Sequence, residues 1–198
     1  MLRHLVFLDI QNKPKAIASI HHHLESLSQK MPGCMQFYFG ECIPGKMSHY
    51  FFMDFENESA RDNYVNHPEH IRIAEQVIIP QLKAGIKSAV VFDYSHLSSK
   101  KISSMTRGLT GYILIKNEEI AGTLKELTHY CDQIDRLKPL QNQSMEVLGK
   151  EYPFALKVNV KSGAEPIRLS QSVSFWAAPR SISIPAGQVS SAMLKSRL

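Results

Sequence analysis

The first half of the chain predicts an α+β fold of the ferredoxin-like kind, in the order β-α-β-β-α-β, and three observations carry that prediction. Period-two alternation marks strands at His4 to Leu8 and His49 to Phe55. Two stretches, one after each of these strands, step their apolar residues by three and four, as amphipathic helices do. Between the runs fall turn signals, Pro32-Gly33 and Pro44-Gly45. A second α+β region follows, over about residues 109–178.

The elements follow in order. His4, Val6 and Leu8 share one face of the first strand, with Leu5 and Phe7 on the other. A helix is expected from about Lys13 to Lys30, because Ile17, Ile20, Leu24, Leu27 and Met31 form one stripe that Pro32-Gly33 ends. Met35 to Gly40 is an aromatic strand, and Glu41 to Met47 a turn. In the third strand His49, Phe51, Met53 and Phe55 oppose Tyr50, Phe52 and Asp54. Ser59 with Asp62 resembles a capping box and predicts a helix from Ala60 to about Asn66. Pro68 opens another, capped by His67 and running to Ile79, with Gln81 to Ala84 as a last turn or loop. Ser88 to Tyr94, β-branched and aromatic, closes the sheet. Such a sheet would carry helices on one face and bare apolar side chains on the other, for which a second copy is the natural cover. A homodimer is therefore expected.

Past Tyr94 the composition changes. Residues 1–98 hold 9 Lys/Arg against 10 Asp/Glu, and residues 99–198 hold 14 against 8. This predicts a first domain over 1–98, a polar linker over 99–108, a second domain over 109–178 and a tail over 179–198 rich in Ser, Pro, Ala and Gly. In the second domain Gly111 to Lys116 reads as a strand. A helix is expected from about Glu118 to Leu137, with Ile120, Leu124, Leu127 and Ile134 spaced for burial. Tyr152 to Val160 and Leu169 to Trp176 read as strands. This order echoes the first half, so a degenerate copy of the same unit is one option.

Composition also excludes classes. No apolar run approaches the roughly 20 residues that span a bilayer, and the N-terminal segment has too short an apolar core for a signal peptide. Three cysteines, Cys34, Cys42 and Cys131, lack CxxC spacing, which points to a reducing, cytoplasmic setting rather than a disulfide scaffold or structural zinc. The scattered basic residues of the second half read as solvated surface, so neither nucleic acid nor membrane is an expected partner. No phosphate-cradling glycine motif is present.

Chemistry concentrates in Tyr64-Val65-Asn66-His67-Pro68-Glu69-His70. The helix begins at Pro68, so His70 lies in its first turn and continues the inward stripe of Ala74, Val77 and Ile78. A helix N-terminus disfavours a protonated imidazole, leaving His70 neutral and able to accept a proton. The bland alternative is a histidine that binds a main-chain carbonyl and holds the helix in place. His67 is a cap before it is a catalyst. His4 and His49 could share a cavity with His70, but no compact metal-ligand motif is present, and no metal is expected. His21-His22-His23 splay by about 100° each on a helix, so they cannot grip one ion and read as a solvated flank. Cys34 and Cys42, with no basic neighbour close in sequence, read as inert thiols.

His4-Leu5-Val6, Met31-Pro32-Gly33, Phe39-Gly40-Glu41, the aromatic third strand, Tyr64…His67-Pro68-Glu69-His70 and Phe92-Asp93-Tyr94 follow one another in an order and spacing that resembles the stress-responsive dimeric α/β-barrel (Dabb) domain family, over residues 1–96. The resemblance implies sheets paired into a dimeric barrel and a pocket between sheet and helices. It also implies a Tyr/His pair, mapping onto Tyr64 and His70, like that of the family's polyketide-cyclase-like members. Those cyclases carry a tyrosine on the first helix where this chain has Leu24, which argues against the same substrate. Related barrels also host monooxygenases.

Two readings follow. In the first, the protein binds a small hydrophobic, carbonyl-bearing molecule and works without a cofactor. His70 takes a proton beside the carbonyl in an aldol, lyase or isomerase step, Tyr64 orients the oxygen, and His4, His67, Leu24, Phe7, Phe37, Phe51 and Phe55 wall the site. In the second, it is a non-catalytic, stress-related ligand-binding or structural homodimer whose C-terminal half covers the barrel or fills the pocket.

Overall fold

The computed structural model describes residues 1–42, 47–95, 110–116, 120–144, 152–161, 167 and 173–177. The expected turn around Pro44-Gly45, the linker over 99–108 and the tail from Pro179 lie wholly or mostly outside these residues.

The first sheet is built as expected. Strands β1 (Leu2–Leu8), β2 (Cys34–Glu41), β3 (His49–Phe55) and β5 (Ala89–Ser95) pair in the order β2-β3-β1-β5, all antiparallel. A short strand, β4 (Lys83–Ile86), precedes β5 where a turn or loop was expected. Helix α1 (Pro14–Lys30) begins one residue past Lys13 and buries Ile20, Leu24 and Leu27. Those side chains meet Val6, Leu8, Phe51, Met53, Phe55 and Tyr64 in one core. Each large apolar side chain fully removed from water there contributes about 2–3 kcal/mol.

Helix α2 (Glu58–Val65) starts earlier than Ser59 suggested. The Asn57 side chain accepts from the Ala60 N–H and caps it, so the Ser59–Asp62 spacing was a coincidence of composition. Helix α3 (Pro68–Ile73) has the expected cap, since His67 Nδ1 accepts from the Glu69 N–H at 3.1 Å. The helix does not run regularly to Ile79. It widens into a π turn over Ala74–Ile78, where the Ile79 N–H reaches back to the Ala74 carbonyl, and closes as a 3-10 turn around Pro80. Proline cannot donate the next helical bond, and the chain yields just before it.

The second half contains a matching sheet. Strands β6 (Thr110–Ile115), β7 (Ile134–Gln141), β8 (Phe154–Val160) and β9 (Val173–Ala177) pair antiparallel in the order β7-β8-β6-β9, the first sheet's order strand for strand. Even the irregularity recurs. The β2–β3 register shifts between Cys34 and Gln36, and the β7–β8 register between Ile134 and Arg136. The long helix expected from Glu118 to Leu137 is corrected here. Helix α4 (Ile120–Leu127) ends in a 3-10 stretch over Thr128–Gln133, and Ile134 onward is strand. Leu124, counted for burial, is 46% exposed.

The two sheets face each other. Leu5, Phe7, Val90, Phe92 and Tyr94 of the first pack with Tyr112, Leu114, Leu140, Tyr152 and Ala155 of the second. The apolar face that led to the expectation of a covering second copy is thus covered within the chain. Polar groups at this layer are paired both within the first sheet and across to the second. Arg3 holds Asp54 through two bonds of 2.7 Å, and the phenol oxygens of Tyr94 and Tyr112 are hydrogen-bonded at 3.0 Å. Among the described residues no helix is long and apolar enough to cross a membrane.

Candidate functional site

The candidate site lies on the helix side of the first sheet. Alternation along β1 turns His4 to that side, and the partner directly across the β1–β5 ladder is Asp93. Both are removed from solvent, and His4 Nδ1 lies 2.8 Å from Asp93 Oδ1. Arg61, buried on α2, places Nη1 against the other Asp93 oxygen and Nε 2.6 Å from Asp62. Burial opposes the Arg61 charge, and Asp93 with Asp62 outweighs it, holding the guanidinium above its ordinary value. With Arg61 donating to one Asp93 oxygen, the other accepts from His4 Nδ1, and Nε2 is the ring nitrogen turned away from the carboxylate.

Tyr64 stands against this relay. Its ring is edge-on to His4 at 5.4 Å, tilted on Phe55 at 5.3 Å and 4.4 Å from the ring of His70. Phe51 flanks His4 at 6.1 Å. His70 donates from Nδ1 to the Val65 carbonyl at 2.9 Å, which ties the end of α2 to the start of α3 and leaves Nε2 as an acceptor. Burial first, and the neighbouring His4 second, lower its pKa to about 4. His70 is therefore neutral at physiological pH, as expected, but burial is the main cause rather than the helix terminus.

Of the residues proposed from sequence, His4, Tyr64, His70, Phe51 and Phe55 come together. Leu24 is fully buried in the same core. His67 is the cap of α3. Phe37 packs at the edge of that core and stacks on His21, 5.9 Å away. Phe7 is a correction: it lies on the other face of β1, between Tyr50 and Tyr112, because it alternates with His4. Arg61 and Asp93 were missed. Asp93 had a readable signal, an acid between Phe92 and Tyr94 in a strand otherwise apolar, since such a charge must find a partner. Arg61 had none, because an arginine on a helix reads as solvated.

His49 does not join the relay. It sits across from Leu8 and Glu41, stacks on Phe39 at 5.5 Å and binds Ser48 Oγ through Nδ1. Burial lowers its pKa. Among the described residues no group of three His, Cys, Asp or Glu side chains could hold a metal ion. Burial pushes Cys34 up to about 11 and Cys42 to about 12, so neither is a ready thiolate at neutral pH.

Comparison with known proteins agrees with the architecture. Residues 2–96 match the profile of the Stress responsive A/B Barrel Domain, Dabb. A dimeric ferredoxin-like protein of unknown function from Jannaschia sp. CCS1 is 24% identical, over 48% of this chain and 98% of its own, with a TM-score of 0.43. A Dabb family protein with a ferredoxin-like fold from Mesorhizobium loti is 19% identical, over 49% and 97%, with a TM-score of 0.42. An anthrone oxidase-like protein, 10% identical, covers 96% of this chain and 95% of its own with a TM-score of 0.61, and so shares the fold across both sheets. No curated protein matches the sequence. Residues 2–96, just under half of the chain, thus carry the match to the stress responsive A/B barrel domain, and the fold on which they lie is ferredoxin-like.

Proposed function

We propose that the protein binds a small hydrophobic, carbonyl-bearing molecule beside Tyr64 and acts on it by acid–base chemistry, with His4 as the base. The observation that carries this reading is the Arg61–Asp93–His4 relay, buried on the helix side of the sheet. Three ionisable groups taken out of water are costly, and apolar side chains would fill the same space at least as stably. Their arrangement is the one that activates an imidazole: a carboxylate fixes the tautomer and stabilises the cation that forms. His4 Nε2 takes a proton from the carbon next to the carbonyl, the bond's electron pair moves onto the oxygen as an enolate, and Tyr64 donates to that oxygen. His70, with a pKa of about 4, is a weak base at neutral pH and suits an orienting role instead. The step calls for no cofactor, and a reducing cytoplasmic setting suits the three free thiols. A homodimer of the full chain would use a surface other than the face already covered by the second sheet.

A structural or ligand-storing role is the second reading. It is favoured by the His70–Val65 bond and the His67 cap, which give both histidines employment in joining α2 to α3.

The test is hydrogen exchange in D2O with 2′-hydroxyacetophenone and acylated resorcinols, read as deuteration of the carbon beside the carbonyl. The first reading expects exchange above buffer that is lost in His4→Gln and Asp93→Asn. Exchange no faster than buffer, with no histidine resonance moved by any of these compounds, leaves the second.

A further inference from the structure

The strand that carries Asp93 is an edge. Among the described strands β5 pairs only with β1, so half of its main-chain groups face away from the ladder. At Asp93 the outward groups are met by the second half of the chain. The Asp93 N–H donates to Asn142 Oδ1 at 2.9 Å, and the Gln143 N–H donates to the Asp93 carbonyl at 2.8 Å. Asn142 Nδ2 donates to the carbonyls of Val91 at 3.3 Å and Tyr152 at 3.0 Å, clamping β5 to the segment before β8. Gln143 Oε1 accepts from Ser95 at 3.0 Å, and the Gln143 carbonyl accepts from Arg61 Nη1 at 3.3 Å.

This arrangement reaches the relay in two ways. Because the main chain of Asp93 is bonded outward, His4 and Asp93 form a non-hydrogen-bonded pair across the ladder, the kind whose side chains approach most closely. The Gln143 carbonyl also holds the same guanidinium nitrogen that holds Asp93. We propose that Asn142 and Gln143 are positioning residues for the His4–Asp93–Arg61 relay, so that the second half of the chain, none of whose described side chains belongs to the relay, sets the site's geometry. The proposal deepens the acid–base reading and rests on it for its functional consequence.

The test uses the full chain and the His4 Nδ1 proton, assigned by its loss in His4→Gln. In Asn142→Ala that proton is expected to exchange with solvent at least about tenfold faster, as Asp93 is freed to move. Deuteration of 2′-hydroxyacetophenone is expected to fall with it. Leu140→Ala loosens the layer between the sheets while removing none of the hydrogen bonds that hold β5's edge, and is expected to lower the melting temperature while leaving the His4 proton as it was. If the alanine variant does not fold, Asn142→Ser is read in the same way, since its side chain cannot span from the Asp93 amide to the Tyr152 carbonyl. A His4 proton unchanged in the Asn142 variant, or moved as much by Leu140→Ala, overturns the proposal. The resonance reads positioning even if the wild-type protein turns over nothing, so failure of the acid–base reading is seen separately, in the deuteration assay alone.

Discussion

His4 Nδ1 and Asp93 Oδ1 lie 2.8 Å apart on facing positions of two antiparallel strands, with both side chains buried. Arg61 closes the other side of the carboxylate, so the pair is the centre of a relay whose members came from three separate stretches of sequence.

Breaking that relay singly should be costly. Asp93→Asn keeps the shape but takes from the buried Arg61 the more deeply buried of its two anions, leaving Asp62, and truncating one partner of a buried pair costs about 3–5 kcal/mol. Replacing both, as Arg61→Met with Asp93→Leu, should recover most of that stability and none of the activity. Urea unfolding of the two variants beside wild type checks the first half of this expectation, and the deuteration assay the second. A double variant as unstable as Asp93→Asn would show that the relay serves the fold.

His70 predicts an acid limb. Unfolded, its pKa is near the ordinary 6.5; folded, burial and His4 hold it at about 4. Above 6.5 neither state binds the proton, so the group contributes nothing to pH dependence. Between 6.5 and 4 the unfolded state takes a proton that the folded state refuses, and stability falls as pH falls. Below 4 the loss is complete, at about 3 kcal/mol. His70→Phe should flatten this window relative to wild type, at the expense of about 1 kcal/mol at neutral pH for the lost bond to Val65. Parallel stability curves for the two proteins from pH 4 to 7 would contradict it.

How much of this was legible depended on whether a residue's partner was local. Helix α1, strand β3 and the His67 cap follow from spacing and from proline, which act within a few residues, and they fell where expected. The end of α4 did not, because Leu124, Leu127 and Ile134 fit a helical stripe as well as they fit a helix followed by a strand; pairing with β8 decides, and β8 is some 20 residues further on. The site divides in the same way. Tyr64 and His70 lie one segment apart and could be grouped by eye. Arg61 and Asp93 are 32 residues apart and meet only because β5 returns beside β1. Phe7 was misassigned although its alternation with His4 already placed it on the other face.

The turn before β2 predicts a sharp intolerance. Gly33 has φ +77, in the left-handed region, and a methyl group added there would meet the Ala60 side chain at 2.7 Å. Ala60 adjoins Arg61, and the Gly33 carbonyl accepts from the Glu56 N–H at 2.9 Å just ahead of α2. Gly33→Ala should therefore cost about 2–4 kcal/mol from strain and overpacking and displace α2. The displacement is the discriminating readout: the Tyr64 and His4 resonances should move in Gly33→Ala, whereas a loss of stability with unmoved resonances would mean that the turn yields instead of the helix.

The covered face yields the last prediction. Leu5, Phe7, Val90, Phe92 and Tyr94 are buried only because Tyr112, Leu114, Leu140, Tyr152 and Ala155 lie over them. A fragment of residues 1–98 keeps its four-stranded sheet and the helices on one side of it but exposes the other face, an apolar patch that a soluble monomer rarely leaves bare. It should pair with a second copy of itself, two identical faces meeting about a two-fold axis, or precipitate. Arg3 and Asp54 remain in the fragment to pair with each other, but Tyr94 loses the Tyr112 hydroxyl, so the new pairing should be weaker than the covalently tethered one. Sedimentation equilibrium of the fragment should give twice its own mass. A monodisperse monomeric fragment would mean that the first sheet needs no cover, and that the second half is retained for its hold on Asp93.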